Sequence, residues 1–129
     1  MQSRERVLTT LSHREPDRVP RDLGGTHVSA IARDACDRLR EHLGLDPRPP
    51  QWLDVLQQVV VPHDDLLDRF KIDTRGLFPA TSHNWRVHEQ LVDEGGHWRY
   101  DDEWRMTHHF PKGGHWFSVA GQPLREVAP

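Results

Sequence analysis

Glu15-Pro-Asp-Arg-Val-Pro-Arg-Asp-Leu-Gly-Gly-Thr26 is the stretch of this sequence that says most about its fold. It follows Ser3 to Leu11, a run with apolar residues at helical spacing, which predicts a short helix capped by its first serine. Pro16 forbids continuation of that helix because the proline ring would clash with the preceding turn. Arg18 to Leu23 is then predicted to be extended. Pro20 within it lacks an N–H for a β ladder, which indicates a strand end, an edge strand or an irregular segment.

Two amphipathic patterns further along the chain predict helices. Ser29 to Leu43 carries one apolar stripe at helical spacing, and Gly44 is its expected C-terminal stop. Pro62 marks the start of the second helix, because proline is well suited to the first helical position. The buried stripe of that helix is predicted to consist of Leu66, Leu67 and Phe70.

Two apolar segments flank the second of these helices. Trp52 to Val61 has apolar residues at helical spacing but ends in the β-prone run Val59-Val60-Val61, so it fits a helix or a strand. A helix through Gln58 is favoured. Ile72 to Phe78 is predicted to be a strand that follows the second helix.

The last third of the chain has mostly two-residue periodicity, which is typical of antiparallel strands. Turn signals occur at Glu94-Gly-Gly96 and Lys112-Gly-Gly114. The predicted strands are Trp85 to Val92, His97 to Tyr100, Glu103 to His109 and His115 to Val119. Trp98, Tyr100, Trp104, Trp116 and Phe117 are expected to form the core and the cross-strand pairs of this sheet.

Several motifs occur in an order that matches a known family. They are Ser3-Arg-Glu-Arg-Val-Leu8 with Pro16-Asp-Arg-Val-Pro20, then Leu66-Leu-Asp-Arg-Phe-Lys-Ile-Asp-Thr-Arg75, then Asp102-Glu-Trp104, and finally Gly113-Gly-His-Trp-Phe117 with Pro123-Leu124. This series resembles the opening part of the uroporphyrinogen decarboxylase-like superfamily. That superfamily contains the decarboxylase of haem biosynthesis and the cobamide-dependent methyltransferases and demethylases that share its barrel.

The resemblance implies an α/β fold, the N-terminal part of a (β/α)8 TIM barrel. A TIM barrel usually needs about 250 residues, whereas this chain has 129, so we expect it to be the first part of an enzyme. Residues 1–83 would supply helices and the first barrel strands, residues 84–120 an antiparallel β-meander, and residues 121–129 a tail leading into the missing barrel. The isolated chain would therefore look α+β.

Charge and composition exclude several classes of partner. Seventeen Lys and Arg residues against twenty Asp and Glu give a net charge of −3, so no basic excess favours nucleic acid or anionic lipid. No run approaches the roughly 18 apolar residues that indicate a membrane helix, and the N-terminal segment lacks the apolar core of a secretion signal. The single cysteine, Cys36, cannot form an internal disulfide, which fits a reducing compartment. We expect a cytoplasmic protein.

Ten histidines raise the question of a metal site. The groups to consider are His108-His109 with His115, and His83 with His88. Neither belongs to a zinc-binding pattern such as C-x-x-C or HExxH, and neighbouring histidines on a strand point to opposite faces. Solvated or edge-strand histidines are the favoured interpretation, and we expect no stoichiometric metal in this chain.

The resemblance also indicates which branch of the superfamily fits better. The decarboxylases bind porphyrinogen with an Arg-Gln-Ala-Gly-Arg signature and a Phe-Ser-Asp aspartate, but this chain has Arg21-Asp-Leu-Gly-Gly-Thr26 at the first place and Ala80 at the second. The methyl-transfer branch is therefore favoured over the porphyrin branch. Its full-length members would need zinc, held by a histidine and two cysteines beyond Pro129, and a cobamide methyl carrier. No cofactor is expected in this chain, and Cys36 is expected to be a small buried hydrophobe.

Five residues are candidates for substrate binding. Arg21, Asp22 and Thr26 lie at the end of an early predicted strand, where the active sites of TIM barrels gather, although the last two could instead satisfy the Gly24-Gly25 turn by local hydrogen bonds. Asp73 and Arg75 alternate with Ile72 and Thr74 and could line a pocket or form a surface ion pair. No catalytic residue is assigned.

The expected function is that of an N-terminal fragment of a cobamide-dependent methyl-transfer or demethylase-type enzyme, which is not catalytically complete alone. One alternative is a uroporphyrinogen decarboxylase. Another is a non-enzymatic α+β binding module that pairs with a separately encoded barrel half, and a third is a small metal-binding protein. The expected partners are the remainder of the barrel or a second copy of the chain, with a corrinoid protein as a further possibility.

Overall fold

Short helices and antiparallel strands both occur in the computed structural model, which describes residues 1–78 and 90–125. These residues form two units. The first consists of Met1–Asp54 and Val59–Phe78, and the second of Val55–Gln58 with residues 90–125. Each unit contains one small antiparallel sheet, and the described residues do not include a closed barrel. The α+β appearance is therefore confirmed.

The first unit contains three helices and a three-stranded sheet. In chain order the elements are α1 (Ser3–Leu11), β1 (Ile31–Ala32), α2 (Arg33–His42), β2 (Gln51–Asp54), β3 (Val59–Val61) and α3 (Asp64–Arg69). The sheet has the order β1-β3-β2, and both pairings are antiparallel. The longest of these helices has 10 residues. None of the helices in the described part of the chain has the length and apolar character needed to cross a membrane.

The favoured helix from Trp52 through Gln58 is wrong, because Trp52 to Val61 forms the β2–β3 hairpin, whose second strand is the β-prone run of valines. Val60 lies in the central strand, where it pairs with Ile31 on one side and Trp52 on the other and is only 3% exposed. The hairpin turn places Gln58 at a φ of 55°, a left-handed conformation that interrupts a helix. Burial of β-branched side chains in a central strand outweighs the helical spacing here.

The core of the first unit lies between the sheet, α2 and α3. Cys36, Val60 and Leu66 are buried, and the half-buried residues packed against them are Ile31, Leu39, Leu43, Leu45, Trp52 and Phe70. The predicted apolar stripe of α2 therefore faces the core, as does that of α3. The helix α2 begins later than predicted because Ile31 and Ala32 pair with β3. It ends as predicted at Gly44, which has a φ of 66°.

The helix α1 spans the predicted residues but buries a different face. Its buried residue is Arg6, whereas Leu8 and Leu11 are 46% and 71% exposed. The N-cap is Gln2 rather than Ser3, and its side chain makes no capping hydrogen bond. A guanidinium group, not an apolar stripe, therefore attaches this helix to the rest of the unit.

Neither predicted barrel strand is a strand in the structure. Arg18 to Leu23 and Ile72 to Phe78 run as irregular chain. The Asp73 N–H donates to the Arg21 carbonyl at 2.8 Å. The Arg21 N–H, which a β ladder would use in return, donates instead to the Asp73 carboxylate at 2.9 Å. The Asp73 carboxylate therefore accepts the hydrogen bond that a backbone carbonyl would accept in a β ladder.

The second unit contains the predicted meander. Its strands are β4 (Val92–Asp93), β5 (His97–Asp101), β6 (Thr107–Pro111) and β7 (Ser118–Gly121), in the order β4-β5-β6-β7. Strand β6 starts later than predicted because the Asp102 carboxylate accepts the N–H groups of Trp104 and Met106 and so fixes a turn. Residues 85–89 of the first predicted strand lie outside the described residues.

Aromatic side chains pack on one face of the meander. Phe117 contacts Tyr100 edge-on at a ring separation of 5.2 Å and lies 5.0 Å from Phe110. Tyr100 and Phe117 are buried, as predicted, whereas Trp104 and Trp116 are 73% and 61% exposed and contribute little to this core.

Candidate functional site

A cluster of charged side chains in the first unit joins three of the segments on which the family resemblance rests. We call it the Asp73 cluster, and it consists of Arg6, Asp17, Arg18 and Asp73. The Asp73 side chain is fully buried. It accepts hydrogen bonds from Arg6 Nη1 at 2.5 Å and from Arg18 Nη1 and Nη2 at 2.7 and 3.1 Å.

The second carboxylate of the Asp73 cluster completes its charge balance. Asp17 binds Arg6 through two hydrogen bonds, from Nε at 2.6 Å and from Nη2 at 2.9 Å. Two guanidinium groups therefore face two carboxylates. Paired, bidentate geometry of this kind offsets the cost of removing the charges from water.

Hydrogen bonding keeps both carboxylates of the Asp73 cluster ionised. Burial acts to raise the pKa of Asp73, but the N–H of Arg21 and the side chains of Arg18, Ser3 and Arg6 outweigh it and hold that pKa well below its usual range. Hydrogen bonding to Arg6 holds the pKa of Asp17 well below its usual range as well. A general base works best with a pKa near the operating pH, so these carboxylates are suited to structure rather than to proton transfer.

Acid is expected to unfold the first unit through these groups. The folded-state pKa values of Asp17 and Asp73 lie below the ordinary value of 3.8, so the unfolded chain binds protons first as the pH falls. Their stabilisation is fully present above that value and is lost progressively below it. Urea unfolding at pH 7, 5, 4 and 3 should give midpoints that fall most steeply below pH 4. A smaller fall in the Asp73→Asn variant is expected, and an unchanged midpoint from pH 5 to 3 would contradict this account.

The predicted substrate-binding residues do not converge on one place. Arg21 donates from Nη1 to the Phe70 carbonyl at 3.0 Å. Arg75 forms surface ion pairs with Asp64 at 3.2 Å and Asp68 at 2.8 Å. A surface ion pair was one of the two alternatives predicted for Arg75 from the sequence. Asp73 lies in the buried cluster described above, not on the surface.

Asp22 and Thr26 make the local hydrogen bonds expected of a glycine turn. The Asp22 carboxylate accepts the Gly25 N–H at 3.1 Å and the Thr74 hydroxyl. Burial acts to raise the pKa of Asp22, but hydrogen bonds, including those from Ser29 and Thr74, lower it overall. The Thr26 hydroxyl lies 3.1 Å from the Ser29 hydroxyl. Asp22 and Thr26 therefore stabilise the local chain conformation around the glycine turn.

Two concave surfaces of the first unit contain some of these candidates. An open groove of about 490 Å³ is lined by Arg21 and Asp22 together with the apolar side chains of Leu23, Ile31, Leu39, Phe70 and Ile72. Arg75 lines a separate, more polar cleft of about 430 Å³. The groove combines an apolar wall with two polar side chains, but it is open, whereas ligand sites usually enclose most of the ligand.

The second unit contains a group of possible metal ligands that the sequence reasoning missed. Glu94, His97 and His109 each place one ligand atom within 4.8 Å of the others. Two features of the sequence could have indicated this group. Glu94-Gly-Gly-His97 is a turn that brings its two ends together, and the alternation of side chains along paired strands places His97 and His109 on the same face of the sheet. The groups considered from sequence differ: His108 lies on the opposite face, bonded to Asp102 at 2.9 Å. His83 and His88 lie outside the described residues.

Comparisons of the chain with protein-family models, with curated proteins and with solved structures found no match. The resemblance to the uroporphyrinogen decarboxylase-like superfamily therefore rests on the sequence motifs. The function must be argued from those motifs and from the geometry described above.

Proposed function

We propose that this chain is the N-terminal portion of a uroporphyrinogen decarboxylase-like barrel enzyme of the methyl-transfer or demethylase type. One observation carries the proposal: motif residues from three separate segments, Arg6, Asp17 with Arg18, and Asp73, meet in one cluster around the buried Asp73 carboxylate. If the resemblance were due to chance, we would not expect its motif residues to contact one another in the fold.

The position of the Asp73 cluster also supports the proposal. It holds Arg18 to Leu23 beside Ile72 to Phe78, the two segments that correspond to early barrel strands. One backbone hydrogen bond, from the Asp73 N–H to the Arg21 carbonyl, joins these segments. In the proposal they would form a strand ladder only with the remaining barrel strands present, because each barrel strand needs a hydrogen-bonded neighbour on both edges.

Exposed apolar surface gives a second line of support. The groove formed by Leu23, Ile31, Leu39, Phe70 and Ile72 is open, and Val28 and Leu77 are both 98% exposed. Singly exposed apolar side chains are common on protein surfaces, so it is the contiguous apolar groove that indicates a surface covered by another element. In the proposal, the remaining barrel strands and helices cover it.

The chain's own residues fit substrate contact better than cofactor binding. Cys36 is its single cysteine and is buried in the core, so this chain cannot supply the histidine and two cysteines that the resemblance implies for zinc. We therefore assign it no step that uses that metal. Arg21 and Asp22, at the edge of the groove, would contact the polar end of a substrate whose apolar part lies against Ile72 and Phe70.

The test is a methyl-transfer assay with and without a barrel remainder. The 129-residue chain would be assayed with methylcobalamin and a thiol acceptor, alone and after extension into, or co-expression with, the neighbouring reading frame. We expect no turnover from the chain alone, because a missing Lewis acid removes several kcal/mol of stabilisation and each 1.36 kcal/mol is about tenfold in rate. Turnover should appear with the remainder and fall in the Arg21→Ala variant.

One control distinguishes the methyl-transfer branch from the porphyrin branch, and another tests whether the effect of replacing Arg21 is specific. Uroporphyrinogen should yield no coproporphyrinogen with either preparation. Arg14→Ala, which removes an exposed arginine away from the groove, should leave methyl transfer unchanged. Turnover by the 129 residues alone, or a neighbouring frame without a His-x-Cys…Cys pattern, would overturn the proposal.

A further inference from the structure

The turn between β4 and β5 is held in a fixed shape. The Glu94 N–H donates to the His97 carbonyl at 3.0 Å, and the Gly95 N–H donates to the Asp93 carboxylate at 2.8 Å. Gly95 has a φ of 84°, which glycine adopts without strain. Glu94 and His97, the two ends of this turn, are therefore brought close together by the backbone itself.

Strand pairing places a second histidine beside the first. Arg99 pairs with His109 across β5 and β6, and His97 is two residues from Arg99 on the same strand. Side chains two residues apart share a face, so His97 and His109 lie on one face of the sheet. Their ring centres are 4.4 Å apart.

His97 has an unsatisfied polar atom at this place. Its Nε2 is shielded from solvent and has no hydrogen-bond partner among the described residues. Glu94 Oε2 lies 2.7 Å away at ion-pair distance, and the His97 side chain as a whole is 32% exposed. An unsatisfied buried nitrogen beside a carboxylate is one of the marks of a position that an ion or water occupies.

We propose that Glu94, His97 and His109 bind one divalent transition-metal ion, with zinc as the best fit. Two imidazole nitrogens and one carboxylate oxygen form a donor set found in zinc sites that keep a fourth position for water or substrate. Bonds of about 2.0–2.2 Å in a tetrahedron require ligand atoms roughly 3.4 Å apart. The ligand atoms of the three residues lie within 4.8 Å of one another, and Glu94 Oε2 and His97 Nε2 are 2.7 Å apart, so the side chains must adjust when the ion binds.

The neighbouring cationic side chains, Arg99 and Lys112, each have a carboxylate partner outside the proposed ligand set. Arg99 Nη1 lies 3.6 Å from Glu94 Oε1, the oxygen that does not approach His97, and Arg99 is also paired with Asp101 at 2.9 Å. The nearest lysine, Lys112, is paired with Asp93 at 2.8 Å. Calcium and magnesium prefer all-oxygen ligands, so a set with two imidazoles selects against them.

This site is independent of the proposed enzyme function. It lies in the second unit and uses none of the zinc ligands that the family resemblance implies. It replaces the sequence-based expectation that this chain binds no stoichiometric metal. An ion held here would join the β4–β5 turn to β6.

The experiment is a metal titration of the full chain after treatment with a chelator. Zinc would be added in a calorimeter, and cobalt would be added separately to report tetrahedral geometry through its visible absorption. We expect one equivalent to bind, and we expect the Glu94→Gln, His97→Ala and His109→Ala variants each to lose at least about 100-fold in affinity. His115→Ala, which removes an exposed histidine from the same unit, is the matched control and should bind as the parent does.

A second measurement, made on the parent chain, tests the proposed metal site even if a variant folds poorly. Nitrogen-detected spectra of the histidine rings in the parent chain should show zinc-dependent shifts for His97 and His109, while His108 and His115 stay in place. Weak binding spread over many histidines, or a single equivalent that all three variants retain, would overturn the proposal.

Discussion

Replacement of Asp73 by asparagine is expected to destabilise the first unit by about 3 kcal/mol. Removing one partner of a buried ion pair usually costs about 3–5 kcal/mol, because the remaining charge is left without compensation. The lower end of that range applies because Arg18 and Asp17 are 28% and 41% exposed. Asparagine keeps the size of the side chain but leaves Arg6 and Arg18 with one carboxylate instead of two.

Cys36 provides the measurement for the Asp73 variant. It is the single thiol and is 5% exposed, and burial raises its pKa, so a thiol reagent reaches it when the unit opens. A loss of 3 kcal/mol should increase the labelling rate roughly 100-fold. Asp68→Asn is the matched control, since that carboxylate is 73% exposed and pairs with Arg75, and it should change the rate less than about fivefold. Equal rates for the two variants would show that the Asp73 cluster contributes no more than a surface pair.

Replacement of Phe117 by alanine is expected to have the largest effect in the second unit. Its ring contacts both Tyr100 and Phe110 and is 9% exposed. Loss of a buried phenylalanine ring costs about 3–5 kcal/mol, part of which comes from the cavity that is left. We expect a value near 3 kcal/mol because the unit is small and can partly collapse around the missing ring.

Amide hydrogen exchange in β5 and β6 measures that loss. Protection factors in both strands should fall by roughly 100-fold in the Phe117→Ala variant. Trp116 is the neighbouring residue and is 61% exposed, so Trp116→Ala should change protection only slightly even though it removes a larger side chain. A comparable fall in the two variants would mean that the aromatic packing described for this sheet does not stabilise it.

Sequence patterns predicted the structural elements that depend on residues close to one another in the sequence. The helix α3 has the predicted stripe of Leu66, Leu67 and Phe70, although it begins at Asp64 with His63 as N-cap, so Pro62 precedes the helix and does not occupy its first position. Gly44 ends α2 because it adopts a left-handed conformation. The turn at Glu94-Gly-Gly96 was also predictable from its glycines. These features depend on residues within one or two turns of each other.

Features that depend on distant partners were missed. Val59-Val60-Val61 forms a central strand because Ile31 and Trp52 flank it, which no short window reveals. Ile72 to Phe78 is not a strand, and the Arg21 N–H that could have paired with it donates to the Asp73 carboxylate. The same limit applies to the candidate sites: Asp73 was selected by its motif, but its burial and its arginine partners follow only from the fold. The Glu94, His97 and His109 group depends on strand register.

The distance in sequence between Arg6 and its partner has a consequence for synthesis of the chain. The two residues of the Arg6–Asp73 hydrogen bond are 67 positions apart, and α1 has only nine residues, fewer than the roughly 12–15 at which an isolated helix becomes marginal in water. During translation, the bond between Arg6 and Asp73 therefore cannot form until Asp73 has left the ribosome, and before then Asp17 is the cluster carboxylate that can pair with Arg6. Any product that stops earlier would hold α1 without its buried carboxylate partner.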